Sequence, residues 1–192
     1  MDQQLSFLSD PNPLPDDNRS IFLGLLPEST TREEMGNLLT RLQEHYRLRG
    51  TRRLIKNLHI TLQKLGGWSD RMIRAAERAA LSTAQRFAPF EISLDRVTGW
   101  GNGAFVLKDE SSENPHLRKF RQELITDLAR EIGLKNVDRQ FNPHVTLLYG
   151  DNEFPETQVE PVRWTASEVV LICSHEGESR YEALGRWPLL GS

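Results

Sequence analysis

The feature that most constrains this chain is a hexapeptide that occurs twice. Asn57-Leu58-His59-Ile60-Thr61-Leu62 and Asn142-Pro143-His144-Val145-Thr146-Leu147 differ only where one apolar residue replaces another. Each closes a stretch with the same order of patterns: an apolar strand-like run, an amphipathic helical run, then the motif. The first stretch covers residues 21–59 and the second 104–144. Two strand–helix–strand units of near-equal length, ending in the same residues, imply an internal duplication. Two copies are too few for a solenoid, so the expectation is a pseudo-symmetric pair of lobes facing one another.

The rest of the pattern fits that scheme. Ile21 to Leu26 is a short apolar run closed by Pro27, consistent with a buried strand. Thr30 and Glu33 have capping-box spacing, and Met35, Leu38, Leu39, Leu42 and Tyr46 follow at helical spacing up to Gly50. Leu58 to Leu65 alternates like a strand. A second helix starts near Ser69 and turns Met72, Ile73, Ala76, Ala80 and Ala84 inward. Phe90 to Val97 alternates and joins Ala104 to Leu107 through Gly101-Asn102-Gly103, a hairpin signal. Pro115 opens a third helix along Leu117, Phe120, Leu124, Leu128 and Ile132, and Gly133 stops it. Strand-like runs recur at Pro143 to Tyr149, Glu168 to Cys173 and Arg180 to Trp187. Residues 1–18 hold three prolines and no periodicity, and are expected to be a disordered extension. Residues 19–192 are then one bilobal domain.

Composition excludes several classes. The longest apolar runs are far too short to span a bilayer, and the N-terminus lacks a basic and apolar leader, so a cytoplasmic protein with no membrane association is expected. The one cysteine, Cys173, excludes a disulfide framework and a cysteine-built zinc site. A net charge of −3 argues against a protein that coats DNA, but not against one that grips a small phosphate locally. No obligate protein partner is evident.

The chemistry lies in the motif. On a strand, His59 and Thr61 share one face while Ile60 and Leu62 share the other, and the imidazole and hydroxyl stand about 7 Å apart along the strand. His144 and Thr146 repeat this. If the two strands meet near a pseudo-twofold axis, two imidazoles and two hydroxyls face one site. A neutral imidazole takes a proton from water or a ribose hydroxyl, and a protonated one gives a proton to the departing alkoxide. The hydroxyls donate to the non-bridging phosphate oxygens as charge builds there. This chemistry calls for no metal or other cofactor, and the set lacks the third ligand and carboxylate of a catalytic zinc site. Nor does the chain contain a P-loop or a nucleophile elbow.

HITL and HVTL, with their flanks NLHITLQKLG and FNPHVTLLYG, the opening IFLGLLP and the closing RYEALGRWPL, resemble the 2H phosphoesterase superfamily. More narrowly they resemble its LigT-like branch, the bacterial RNA 2′,3′-cyclic phosphodiesterases, also called the 2′-5′ RNA ligase family. The likeness runs from about Arg19 to Leu189. It implies an α+β, bilobal, pseudo-twofold fold with antiparallel sheets around a central cleft and helices outside. The implied reaction hydrolyses 2′,3′-cyclic phosphate ends of RNA or nucleotides to 2′-phosphomonoesters, and family members also join RNA ends through 2′-5′ linkages. His59 would be the proton donor and His144 the acceptor. Other readings are a 2H phosphodiesterase acting on a 2′-5′ oligonucleotide or an ADP-ribose cyclic phosphate, and a non-catalytic module that binds RNA ends. The resemblance also implies an arginine shortly after the second motif, where this chain has Leu148-Tyr149-Gly150. Tyr149 would face away from His144 on an ideal strand unless a bulge re-aims it, and Lys64 has the same parity relative to His59.

Further substrate-binding candidates are Phe22, which either packs in the core or offers a surface for a base, Tyr149, and Arg53. Arg53 belongs to a basic run, Arg47, Arg49, Arg52, Arg53 and Lys56, that is either a solvated loop or an electrostatic lip for RNA. Trp100, beside the Asn-Gly turn, stands to stack at the cleft mouth or to pack the hairpin. His45, His116 and His175 are read as surface residues.

Overall fold

Apolar residues that run together or alternate form strands here, and those recurring every three or four residues form helices. The computed structural model describes residues 18–110, 113–133, 140–150, 153–175 and 177–191. Its elements are β1 (Arg19–Leu25), α1 (Ser29–Tyr46), β2 (Thr51–Arg52), a 3-10 turn at Ile55–Asn57, β3 (Ile60–Gly67), α2 (Asp70–Ala84), β4 (Phe90–Gly99), β5 (Ala104–Lys108), α3 (Pro115–Ile132), β6 (His144–Tyr149), β7 (Thr157–Ala166), β8 (Glu168–His175) and β9 (Arg180–Pro188). The chain is a mixed α+β fold built on a large antiparallel sheet with three helices. Residues 1–17 of the proposed extension lie outside the described residues.

The strands follow the order β7-β4-β5-β6-β3-β1-β8-β9, with β2 added to β6. This order reads as two four-stranded halves, β3-β1-β8-β9 and β6-β5-β4-β7, joined where the two motif strands meet. They meet at a single pair, Ile60 opposite Val145. β3 begins at that pair, and further along β6 its neighbour is β2, with Thr51 opposite Tyr149 and Arg52 opposite Leu148. Gly50 makes that approach possible: its φ is 143°, and a Cβ there would lie 2.1 Å from the Tyr149 carbonyl oxygen.

One face of the sheet carries Ile21, Leu23, Leu25, Ile60, Leu62, Leu107, Val145 and Leu147 into a continuous apolar core with all three helices. Burial of this surface, at roughly 25 cal/mol per Å², is the main force holding the halves as one body. The opposite face carries a small separate apolar cluster, Phe22, Val170 and Ile172, with Leu26 and Tyr181 against it. The histidines and threonines stand on that second face.

Several local expectations are corrected. The capping box does not form: the N-cap of α1 is Glu28, without a side-chain cap bond, and Thr30 lies inside the helix. Pro27 ends the extended segment so close to the helix that its first turn begins ahead of the expected cap. At the far end, α1 closes on Arg47 in the left-handed conformation, not on Gly50. The hairpin between β4 and β5 is longer than an Asn-Gly two-residue turn. Gly103 N–H donates to the Trp100 carbonyl at 2.9 Å, and the Asn102 side chain accepts from Ala104 N–H at 3.2 Å. The sequence patterns do not predict β2 or β7. By contrast, the Ser69 hydroxyl accepts from Met72 N–H at the start of α2, and Gly133 ends α3 at φ 77°.

Candidate active site

The site is built at the junction of the halves. Extending the Ile60–Val145 register by one residue each way sets His59 across from Thr146 and Thr61 across from His144. Four side chains therefore form a square on the open face, with the imidazoles on one diagonal. Diagonal neighbours across a regular antiparallel pair have Cα atoms roughly 7–8 Å apart.

Each imidazole is anchored in the same way. Nδ1 of His59 lies 2.7 Å from the carbonyl oxygen of Asn57, and Nδ1 of His144 lies 2.7 Å from that of Asn142. A carbonyl only accepts, so each Nδ1 donates a proton, and each Nε2 is the nitrogen left for chemistry. The Nε2 of His59 lies 3.1 Å from the Thr61 hydroxyl. Asn57 is buried and donates from its side chain to the Ser179 carbonyl, tying the first motif to the β8–β9 hairpin.

Aromatic rings fix the imidazoles from the side. Phe22 and Tyr181 stand 4.7 and 5.4 Å from the His59 ring, and Trp100 stands 4.4 Å from the His144 ring. Phe22 is only 6% exposed and packs against both His59 and Tyr181. Tyr181 was not singled out by the sequence, although it lies in the closing RYEALGRWPL block. Its hydroxyl accepts a hydrogen bond from Arg53, whose guanidinium also lies over the Tyr181 and Tyr149 rings at 5.3 and 5.5 Å. The structure therefore brings Arg53 and Tyr149 to the site alongside His59. The other members of the basic run divide: Arg52 is fastened back to Gln43 and Thr40 on α1, while Arg47 and Lys56 are exposed.

Burial sets the proton affinities. It brings the His59 imidazole down from 6.5 to about 4, helped by the charges of Arg53, His144 and Lys64 and opposed by the Asn57 carbonyl. His144 is also lowered, again mainly by burial, with the Lys64 charge adding and the Asn142 carbonyl opposing. Burial pushes the Tyr181 hydroxyl up, so the group Arg53 contacts is a neutral phenol. Burial thus favours the neutral form of both imidazoles.

A protein-family model for the 2′-5′ RNA ligase superfamily matches residues 27–178. The chain belongs to that superfamily. Within it the fold is that of the LigT-like 2H phosphoesterases, a family of enzymes. The Escherichia coli LigT structure complexed with 3′-AMP superposes with a TM-score of 0.73 at 23% identity, covering 89% of this chain and 98% of that one. The TT0787 protein of Thermus thermophilus gives 0.72 at 18% identity, covering 90% and 99%. An E. coli LigT structure complexed with ATP gives 0.69 at 23% identity, covering 89% and 98%. No curated protein sequence matches. Among the described residues, no helix is long and apolar enough to cross a membrane.

Proposed function

We propose that this family member hydrolyses the 2′,3′-cyclic phosphate ends of RNA or nucleotides to 2′-phosphomonoesters. The observation carrying this reading is the pair of Nδ1-anchored imidazoles, each two residues ahead of a threonine, on one open face at the junction of the halves. His144 Nε2 accepts a proton from water as the water oxygen bonds to phosphorus. The bond from phosphorus to the ribose 3′-oxygen breaks, and His59 Nε2–H protonates that leaving oxygen. Thr61 and Thr146 hydroxyls donate to the non-bridging oxygens as their charge grows. The assignment of donor to His59 and acceptor to His144 follows the family resemblance. With an RNA 5′-hydroxyl in place of water, the same bond changes form a 2′-5′ linkage. E. coli LigT has been crystallised in complex with 3′-AMP, ATP and phosphate, and such ligands suit a site of this chemistry. Arg53 and Tyr149 lie at its rim, where a nucleotide's base or backbone would sit.

The test is turnover of nucleoside 2′,3′-cyclic monophosphates in EDTA, with the product identified as the 2′- or 3′-monophosphate. His59→Ala and His144→Ala should each lower turnover by about 10²–10⁴-fold while melting cooperatively, the range for loss of a general acid or base. Measurable binding with no product from the wild-type chain would remove the enzyme reading and leave the RNA-end-binding one. Loss of turnover in EDTA, restored by added metal, would overturn metal independence.

A further inference from the structure

Both motifs are followed by the same irregularity. On β3, Thr61 pairs with Gly24 and Gln63 with Leu23, so Leu62 is an extra residue in the ladder. On β6, Thr146 pairs with Val106 and Leu148 with Phe105, so Leu147 is the extra one. These are the equivalent leucines of the two hexapeptides. A bulge at that point breaks the alternation. Leu62 and Gln63 are both buried, as are Leu147 and Leu148, and the next residue in each strand, Lys64 or Tyr149, is exposed.

Register then says which way these two residues face. Lys64 stands directly opposite Phe22, whose ring lies against His59. Residues opposite one another in an antiparallel pair share a face, so Lys64 lies on the face of His59 and Thr61. Tyr149 stands opposite Ala104, two residues from the Val106 that faces Thr146, and so lies on the face of His144 and Thr146. The pseudo-twofold therefore delivers a cation from one half and an aromatic ring from the other.

Three other cations that strand register places on this face are engaged. Lys108 pairs with Glu156, Arg96 with Glu110 at 2.9 Å, and Arg186 with Glu168. Arg53 is bonded to Tyr181. Among the described residues, the Lys64 ammonium has neither a hydrogen bond nor an ion pair, although its charge reaches both imidazoles.

We propose that Lys64 is the phosphate-gripping cation of this site, its ammonium donating to a non-bridging oxygen of the anion held between His59 and His144. This rests on the reading of the site as a phosphate site and adds the cation that the four-residue square lacks. Lys64 transfers no proton; it neutralises charge that grows as the nucleophile adds to phosphorus.

Binding of inorganic phosphate, measured by titration calorimetry, tests the proposal independently of turnover. Lys64→Met should weaken it by about tenfold or more, as expected for loss of a charge-assisted hydrogen bond, and Lys64→Arg should largely restore it. A side chain this exposed can change without loss of the fold, which the melting curve of each variant checks. Where cyclic nucleotides are turned over, Lys64→Met should also move both limbs of the kcat/KM pH profile upward, because a charge that lowers both imidazoles is gone. A structural role would leave those limbs in place. Phosphate binding by Lys64→Met equal to that of the wild type overturns the proposal, whatever the turnover. Phosphate binding that depends on Lys64 in a chain that turns over no cyclic phosphate keeps this cation and discards the phosphodiesterase reading.

Discussion

A histidine on a strand carries no chemistry until its ring is aimed. Here each ring is aimed by a carbonyl two residues upstream and flanked by an aromatic side chain. Unshifted imidazoles would centre the pH profile near neutrality, but burial changes this. With His59 at about 4 and His144 below 6.5, kcat/KM, which reports the free enzyme, should be greatest on the acid side of 6.5. The kcat profile should peak at higher pH, because the bound phosphate's negative charge raises both imidazoles. Steady-state rates from pH 4 to 9 on one cyclic mononucleotide separate the two profiles, and coincident optima at neutrality would refute this account. His59, Thr61, His144 and Thr146 were legible in the sequence because packing has no reason to repeat a His and a Thr together. Tyr149 was a candidate only on condition of a bulge, and Lys64 was not a candidate, because a period-two reading places both on the wrong side. The imidazole anchors were hidden for another reason: a backbone carbonyl leaves no residue signature.

At the scale of elements, helices with strong ends were easiest to read and edge strands hardest. β7 contains Pro161, which removes a backbone donor and argues against a strand in a sheet interior. β7 is the outer strand of its half, and Pro161 falls in the gap of its ladder with β4, between the Val162 and Gln158 pairings, so the missing donor is tolerated. The two candidate N-caps differ in the same informative way. Ser69 accepts the Met72 N–H from a true N-cap position, whereas Thr30 lies within α1 and has no capping role. Ser69→Ala should therefore cost about 1 kcal/mol of unfolding free energy, the usual loss of such a cap, and Thr30→Ala should cost nothing measurable. Urea titrations of both variants check this, and a larger loss at Thr30 would mean that the capping box forms in solution. The bulge of β3 has its own support: buried Arg121 on α3 donates to the Leu62 carbonyl and the Gln63 side chain, each at 3.4 Å. A helix of the second half thus steadies the residue whose irregular pairing turns Lys64 toward the site.

For the whole molecule, duplication of the strand–helix–strand unit was readable because its repeat lies in the chemistry as well as in the apolar pattern. How the halves join was not readable, because one pair, Ile60 with Val145, is the entire direct ladder between the motif strands. The joining is left to the shared core, and it places ionisable groups where burial disfavours their charge. Such placement makes stability depend on pH with a definite sign. An unfolded histidine binds a proton near 6.5, whereas folded His59 does so only near 4. Between those values the unfolded state holds more protons, so unfolding free energy rises with pH across that window. The contribution of His59 is complete above 6.5 and is lost as pH falls toward 4; at 1.36 kcal/mol per unit it amounts to no more than about 3.5 kcal/mol. Burial alone would raise the Asp127 carboxyl, but hydrogen bonds from Thr83 and Arg86 hold it below 3.8, so it acts below this window. His59→Asn cannot titrate there, so its unfolding free energy, followed by urea denaturation from pH 7 to 4, should fall less steeply than that of the wild-type chain. Equal slopes would mean that His59 is as readily protonated in the folded protein as in the unfolded chain, and the proton would then be present at the site before any phosphate arrives.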